Sequence, residues 1–428
     1  MQLIIRLAVR ITALALKFAL TIAVARTLGF SAVADYGLAL AISVLSSKLL
    51  GLGFSAEMNR RLSLKDPFLA IRDLRRLLVL YAGVYAVLAA MTALFYVSRL
   101  GDIYRLAPEV LLSILAVAFS EHFGFETNSY VFSLHRPRFG AVLLFLRTGG
   151  WAAVAIAGMM GGMIRSMAVV FGLWWLTNIL VAFVACWFIW RRKRELEMTA
   201  DRSTEKVRDV NLRSVWIGGF PFFVATVVLS ALQYAERFFA SEVVSRDALG
   251  RYVFSWSIAN AVQTVAYATI VVTAGPRLVR SIGGSDSGFR ALLGRSARLT
   301  LCVTLAASAV ILLAHKPIFR LAHEFADTGE LAILLTLLAS FVLRSVADLY
   351  WSGAIALRLG KQVAISISFV AAVSVPIEWL LVSRMGAMGA AMAHLIASVG
   401  ILVLLMAIVA RRCCSVALKT QNEASHAS

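Results

Sequence analysis

Five basic residues sit where a lipid bilayer would be: Lys17, Lys48, Arg147, Arg237 and Arg344, each inside a long apolar stretch. An ionisable group in hydrocarbon is costly, so each is a candidate for function. Arginine grips phosphate oxygens bidentately and lysine adds a point charge, so together they suit an anionic group such as a diphosphate. The competing reading is snorkelling, in which a long side chain near a span end reaches the headgroups. Lys17 is hardest to explain that way, because it lies near the middle of its span with Thr21 one turn further on the same face. Arg237 lies near an outer span end and fits snorkelling as well as it fits a cavity role.

Other polar residues recur at helical spacing. Glu121, His122, Glu126 and Asn128 share one span, with His122 and Glu126 one turn apart and Glu121 and Asn128 two turns apart. Those spacings predict a wet stripe, and the residue types are those of intramembrane proton relays. Ser230, Gln233, Glu236 and Arg237 are spaced by three and four or lie side by side; Asn260, Gln263 and Thr264 form a further patch. Hydrogen bonds between packed helices explain such patches equally well. Ser340, Arg344, Asp348 and Ser352 recur every fourth residue, predicting one polar stripe. Within it Arg344 and Asp348 are placed to neutralise each other or to meet a substrate.

The elements that must carry these residues follow from composition. The chain has 428 residues, 60% of them hydrophobic and only 15% charged. Its mean hydropathy is +0.83. That excludes disorder and an ordinary soluble enzyme. Twelve stretches are long enough to span a membrane, near 8–28, 36–56, 77–98, 109–134, 139–163, 167–190, 214–240, 250–274, 297–315, 331–357, 363–383 and 387–410. The predicted class is an all-α membrane protein of about twelve transmembrane helices. Residues 191–213, opening with Arg191-Arg192-Lys193-Arg194, read as a basic linker between a bundle at 1–190 and a bundle at 214–412, with a tail at 413–428. The short stretch 315–330 reads as the longest outer loop.

With the N-terminus inside, 28 of the 42 Lys and Arg fall on the cytoplasmic side, nine on the other and five within spans. This bias predicts a multi-pass plasma-membrane protein with both termini cytoplasmic. Arg6 and Arg10 before Ala23-Val24-Ala25 resemble a cleavable leader, but Lys17 interrupts the apolar region. Cys186, Cys302, Cys413 and Cys414 have no metal-site spacing, so no metal is expected. No phosphate-binding GxxxxGK[ST] occurs: Gly360-Lys361 has Ile355 where the first glycine is required. No cofactor, ATP hydrolysis or nucleic-acid partner is expected. Pro221 and Pro376 fall within spans, where they can kink a helix.

Shifted by 216 positions, the first half meets the second in Ala32 and Ala248, Tyr36 and Tyr252, Ile42 and Ile258, Arg61 and Arg277, and Leu62 and Leu278. Gln233 then falls on Lys17. Six spans per half make parallel repeats, the plan of two pseudo-symmetric bundles around a central cavity.

The segments Phe18-Ala19-Leu20, Ala25-Arg26-Thr27-Leu28-Gly29, Ala34-Asp35-Tyr36-Gly37-Leu38 and Gly51-Leu52-Gly53-Phe54 resemble the opening of polysaccharide exporters. These are the O-antigen flippase-like members of the multidrug/oligosaccharidyl-lipid/polysaccharide exporter superfamily. Asp247-Ala248-Leu249-Gly250-Arg251-Tyr252 and Gly275-Pro276-Arg277-Leu278 repeat the theme, and Met385-Gly386-Ala387-Met388-Gly389-Ala390-Ala391 is similar to the start of the family's last helix. The resemblance implies a flippase, not an enzyme, for an undecaprenyl-pyrophosphate-linked oligosaccharide in surface polysaccharide (O-antigen or exopolysaccharide) biosynthesis. Its implied partners are that lipid-linked substrate, membrane lipids, and polymerase or other assembly proteins. Two rivals stand beside it. A drug antiporter of the same superfamily would have a more acidic or aromatic cavity, and a membrane polymerase or glycosyltransferase would place its chemistry on a large outer loop.

Overall fold

The computed structural model describes residues 2–62, 68–97, 108–199, 212–281, 286–322 and 328–426. Among these every regular element is helical. In order they are α1 (Gln2–Leu28), α2 (Phe30–Leu50), α3 (Ser55–Leu62), α4 (Phe68–Val97), α5 (Pro108–Ser133), α6 (Pro137–Phe145), a π-helical turn at Leu146–Gly150, and α7 (Trp151–Met160). Then come α8 (Met167–Thr199), α9 (Leu212–Val243), α10 (Arg246–Ala266), a π-helical turn at Tyr267–Val271, α11 (Val272–Ser281), α12 (Asp286–Leu321), α13 (Thr328–Ala356) and α14 (Gly360–His426).

Among the described residues, ten segments are apolar and long enough to cross a membrane. One of them, Gly360–Arg412, has 53 residues. As a straight helix it would be about 80 Å long, far beyond the ~30 Å of hydrocarbon. It breaks at Gly386, whose φ of 56° and ψ of −129° suit only glycine, and so makes two crossings. α5, with 26 residues, is about 39 Å long and supplies the remaining crossing. With α5 counted and α14 taken as two helices, the described residues hold twelve segments of membrane-crossing length, the number read from the sequence.

The internal repeat is visible in the elements. α2 and α10 are both 21 residues long and begin 216 positions apart. α3 and α11 begin 217 apart, and α4 and α12 begin 218 apart. The basic segment after residue 190 is partly helical, since α8 runs on to Thr199. Likewise His315, Lys316 and Arg320, expected in a loop, continue α12 to Leu321. His323 and Glu324 of that stretch lie outside the described residues.

By packing the chain forms two compact units: residues 1–16 with 38–227, and residues 17–37 with 228–428. In the first, Leu74, Leu77 and Tyr81 of α4 share a buried core with Tyr130 of α5 and Val181, Ala185 and Ile189 of α8. In the second, Phe254 and Trp256 of α10 meet Phe319 of α12 and Phe341 of α13 edge to face. Edge-to-face rings favour such cores beyond the area they bury.

Candidate functional site

In the first unit the polar residues converge on Phe125 of α5. The Lys48 ammonium, in the last turn of α2, sits 4.3 Å from the Phe125 ring centroid. The Arg147 guanidinium sits 5.5 Å from the same ring. A ring face attracts cations electrostatically, and more strongly when water is excluded. Arg147 lies in the π-helical turn and is buried. Its Nη1 is 2.5 Å from Glu121 Oε1. Glu121 Oε2 accepts from Asn178 Nδ2 at 2.7 Å and from Trp174 Nε1 at 3.0 Å, both on α8. Trp174 also stacks on Trp151, whose Nε1 donates to the Arg147 carbonyl. This charge pair is therefore held between α5, the π-helical turn and α8, with Arg147 buried and Glu121 partly exposed.

Lys48 is different. Among the described residues its ammonium forms no ion pair, and it lines a cavity of about 110 Å3 with Ser47, Ser55, Phe125 and Glu126. The opposite wall comes from α9: Gly219, Phe222, Phe223 and Thr226. Two glycines let that wall approach. A Cβ on Gly219 would strike the Gly53 carbonyl, so the turn after α2 presses directly on the backbone of α9. Glu126 Oε1 accepts from Ser55 Oγ at 2.5 Å, while among the described residues the buried Oε2 makes no hydrogen bond. The space admits a few waters or one small charged group. It is too small for an oligosaccharide.

The stripe predicted on α5 does not act as one row. His122 and Glu126 are both buried, at 0% and 1% exposure. His122 Nδ1 pairs with the Tyr85 hydroxyl at 2.5 Å, and its ring meets Tyr81 edge to face. Glu121, His122 and Glu126 take three different partners, Arg147, Tyr85 and Ser55. Asn128 is buried as well.

In the second unit, Arg237 is fully buried and does not snorkel. Its Nη1 donates to the Gly37 carbonyl at 2.7 Å, and its guanidinium lies 4.0 Å from the Trp256 ring and 4.9 Å from Tyr234. The adjacent Glu236 is fully buried as well. The stripe on α13 fastens helices. Ser340 Oγ bonds His394 and Ser398 of α14, Arg344 Nη2 donates to the Leu229 carbonyl of α9 at 3.1 Å, and Asp348 Oδ2 accepts from Gln263 of α10 at 2.7 Å. Ser352 turns back to the Asp348 carbonyl. Lys17 is half-buried on α1, where its carbonyl faces the Thr21 hydroxyl at 3.5 Å. Gln233 and Asn260 are half-buried on α9 and α10.

The structure thus gathers Lys48, Arg147, Glu121 and Glu126 in one unit, and places Lys17, Gln233, Arg237, Asn260, Arg344 and Asp348 in the other. Sequence spacing missed Ser55 and Phe125, which complete the Lys48 cavity. It also missed Glu378, a lone buried acid two positions after Pro376, and His394. A single polar residue in an apolar run has no periodicity to expose it.

No protein-family model matches the chain, and no curated protein matches it. Solved structures do. A multidrug resistance MATE family transporter of the MOP superfamily in an inward-facing conformation is 15% identical, with 96% of this chain and 98% of that one covered and a TM-score of 0.65. A MATE structure in the straight conformation is 16% identical over 97% and 95%, with a TM-score of 0.66. The lipid II flippase MurJ in an inward closed conformation is 15% identical over 95% and 87%, with a TM-score of 0.69. All three are transporters or flippases. The chain is a multi-pass membrane protein with the fold shared by MATE transporters of the MOP superfamily and the flippase MurJ.

Proposed function

We propose that this protein is a flippase that moves a lipid-linked oligosaccharide, of the undecaprenyl-pyrophosphate type, across the bacterial inner membrane for surface polysaccharide assembly. It works by alternating access and makes or breaks no covalent bond. Both termini are cytoplasmic, in line with the basic-residue bias. The observation that carries the substrate class is Lys48: an ammonium with no ion pair among the described residues, held over Phe125 at the edge of a small cavity inside a membrane domain. A half-buried cation inside a membrane domain that forms no ion pair among the described residues favours a visiting anion. The diphosphate is that anion, while the saccharide travels outside this cavity. The lipid II flippase with a similar fold moves a lipid-borne cargo by its printed name, which supports the same class.

One observation favours the drug-antiporter reading: Phe125, Phe222, Phe223 and Glu126 also line the cavity, and aromatic rings with an acid suit an organic cation. Deleting the gene and labelling lipid-linked saccharide in oriented vesicles with an impermeant probe separates the readings. The flippase reading expects the unit to accumulate on the cytoplasmic leaflet. Accumulation on the outer leaflet indicates a polymerase or ligase. An unchanged saccharide lipid with lost resistance to a cationic drug indicates the antiporter.

A further inference from the structure

A second basic feature lies away from the Lys48 cavity, on the outside of the helix bundle. α4 buries Ala70, Ile71, Leu74, Leu77 and Tyr81 in the core of its unit. The residues one face round are Arg72, Arg75, Arg76 and Val79, and these four line a cavity of about 410 Å3. It lies at the basic-rich end of the helices, where α4 begins and α8 ends. α8 supplies its flank: the Arg75 guanidinium lies 5.7 Å from the Trp190 ring, and Arg191 lies 5.8 Å from Trp187. The one acid on this turn, Asp73, is turned inward at 2% exposure and lies 3.9 Å from Arg76.

Beyond the arginines the same face of α4 becomes apolar and stays exposed. Val79, Val87, Met91 and Leu94 are 67%, 58%, 62% and 67% exposed. They extend over about 22 Å of helix, the reach of a fatty acyl chain. α8 carries a parallel exposed row through Leu180, Phe183, Trp187 and Trp190. Ordinary interface anchors are single cations reaching the headgroups from separate helices. Three guanidinia on one face of one helix, opening onto a paired apolar track, form a receptor for a molecule with a multiply charged phosphate head and long apolar tails.

We propose that this groove binds an anionic glycerophospholipid of the surrounding leaflet, its phosphate held by Arg72, Arg75 and Arg76 and an acyl chain laid between α4 and α8. The assignment does not depend on what the protein transports. A basic residue near an anionic headgroup contributes about fivefold in affinity, so removing three should weaken retention on the order of a hundredfold. The test uses the full-length protein in detergent, titrated with cardiolipin, phosphatidylglycerol or phosphatidylcholine and read by native mass spectrometry. The expected result is retention of the two anionic lipids over phosphatidylcholine, about fivefold weaker in R75Q and nearly lost in the R72Q/R75Q/R76Q variant. R75Q serves as the reading if the triple variant is not monodisperse. Soluble pyrophosphate should not displace the lipid at matched concentration. Equal retention of phosphatidylcholine, undiminished binding in R75Q and the triple variant, or displacement by pyrophosphate alone would each overturn the proposal.

Discussion

Glu121 Oε1 lies 2.5 Å from Arg147 Nη1 while Glu121 Oε2 accepts from Asn178 Nδ2 at 2.7 Å, so one carboxylate joins α5, the π-helical turn after α6, and α8. Removing one partner of such a pair leaves an uncompensated charge in a dry site. Arg147→Met should therefore destabilise the protein by about 3 kcal/mol, moderated by the partial exposure of Glu121. Arg147→Met with Glu121→Gln should recover much of that loss. Thermal unfolding of detergent-purified variants in a double-mutant cycle checks this; additive losses would show that the two side chains are not coupled.

Lys48 is expected to behave in the opposite way. Lys48→Ala removes a cation with no ion-pair partner among the described residues, so folding should be little changed. Export should fall about tenfold or more, the worth of a charge-assisted hydrogen bond to a phosphate. Lys48→Arg should retain part of the activity. Polysaccharide output at matched membrane abundance is the measurement, and unchanged output in Lys48→Ala contradicts the assignment.

Close packing within the second unit gives a stability prediction. A Cβ on Gly250 would strike the Phe30 carbonyl, and one on Gly37 would come within 2.5 Å of the Val253 side chain. These positions hold the starts of α2 and α10 together, beside the Gly37 carbonyl that Arg237 binds. Gly250→Ala should cost about 1–3 kcal/mol, because it meets backbone. Gly37→Ala should cost less, because a side chain can shift. Equal effects in thermal unfolding would count against this geometry.

The orientation is tested by reporters. A fusion within 191–213 should be active only as a cytoplasmic reporter, and one within 161–166, at the exposed turn after α7, only as an exported one. The reverse pattern at either point overturns the topology.

The spans were legible because hydropathy over twenty residues depends on no partner. Even the break in α14 was marked, by Gly386 between two apolar runs. The 216-residue repeat reappears in α2 and α10 because equivalent helices need equivalent lengths to cross one bilayer. What spacing could not supply was the partner of each polar residue. Arg344 and Asp348 stand one turn apart, yet they bond Leu229 and Gln263 on other helices. Arg147 finds Glu121 across 26 positions. A polar side chain in a dry bundle takes whichever acceptor the packing brings near. Arg237 is separated from a snorkelling residue by Gly37, 200 positions away, whose carbonyl accepts its hydrogen bond.

The central claim is tested most directly by reconstitution. The purified protein is placed in liposomes with a fluorescent undecaprenyl-pyrophosphate oligosaccharide, and transbilayer movement is read by impermeant quenching. The account predicts movement that depends on the protein, is about tenfold slower or worse with Lys48→Ala, and needs the diphosphate. No movement of this lipid, or Lys48-independent movement of an organic cation in its place, would contradict it.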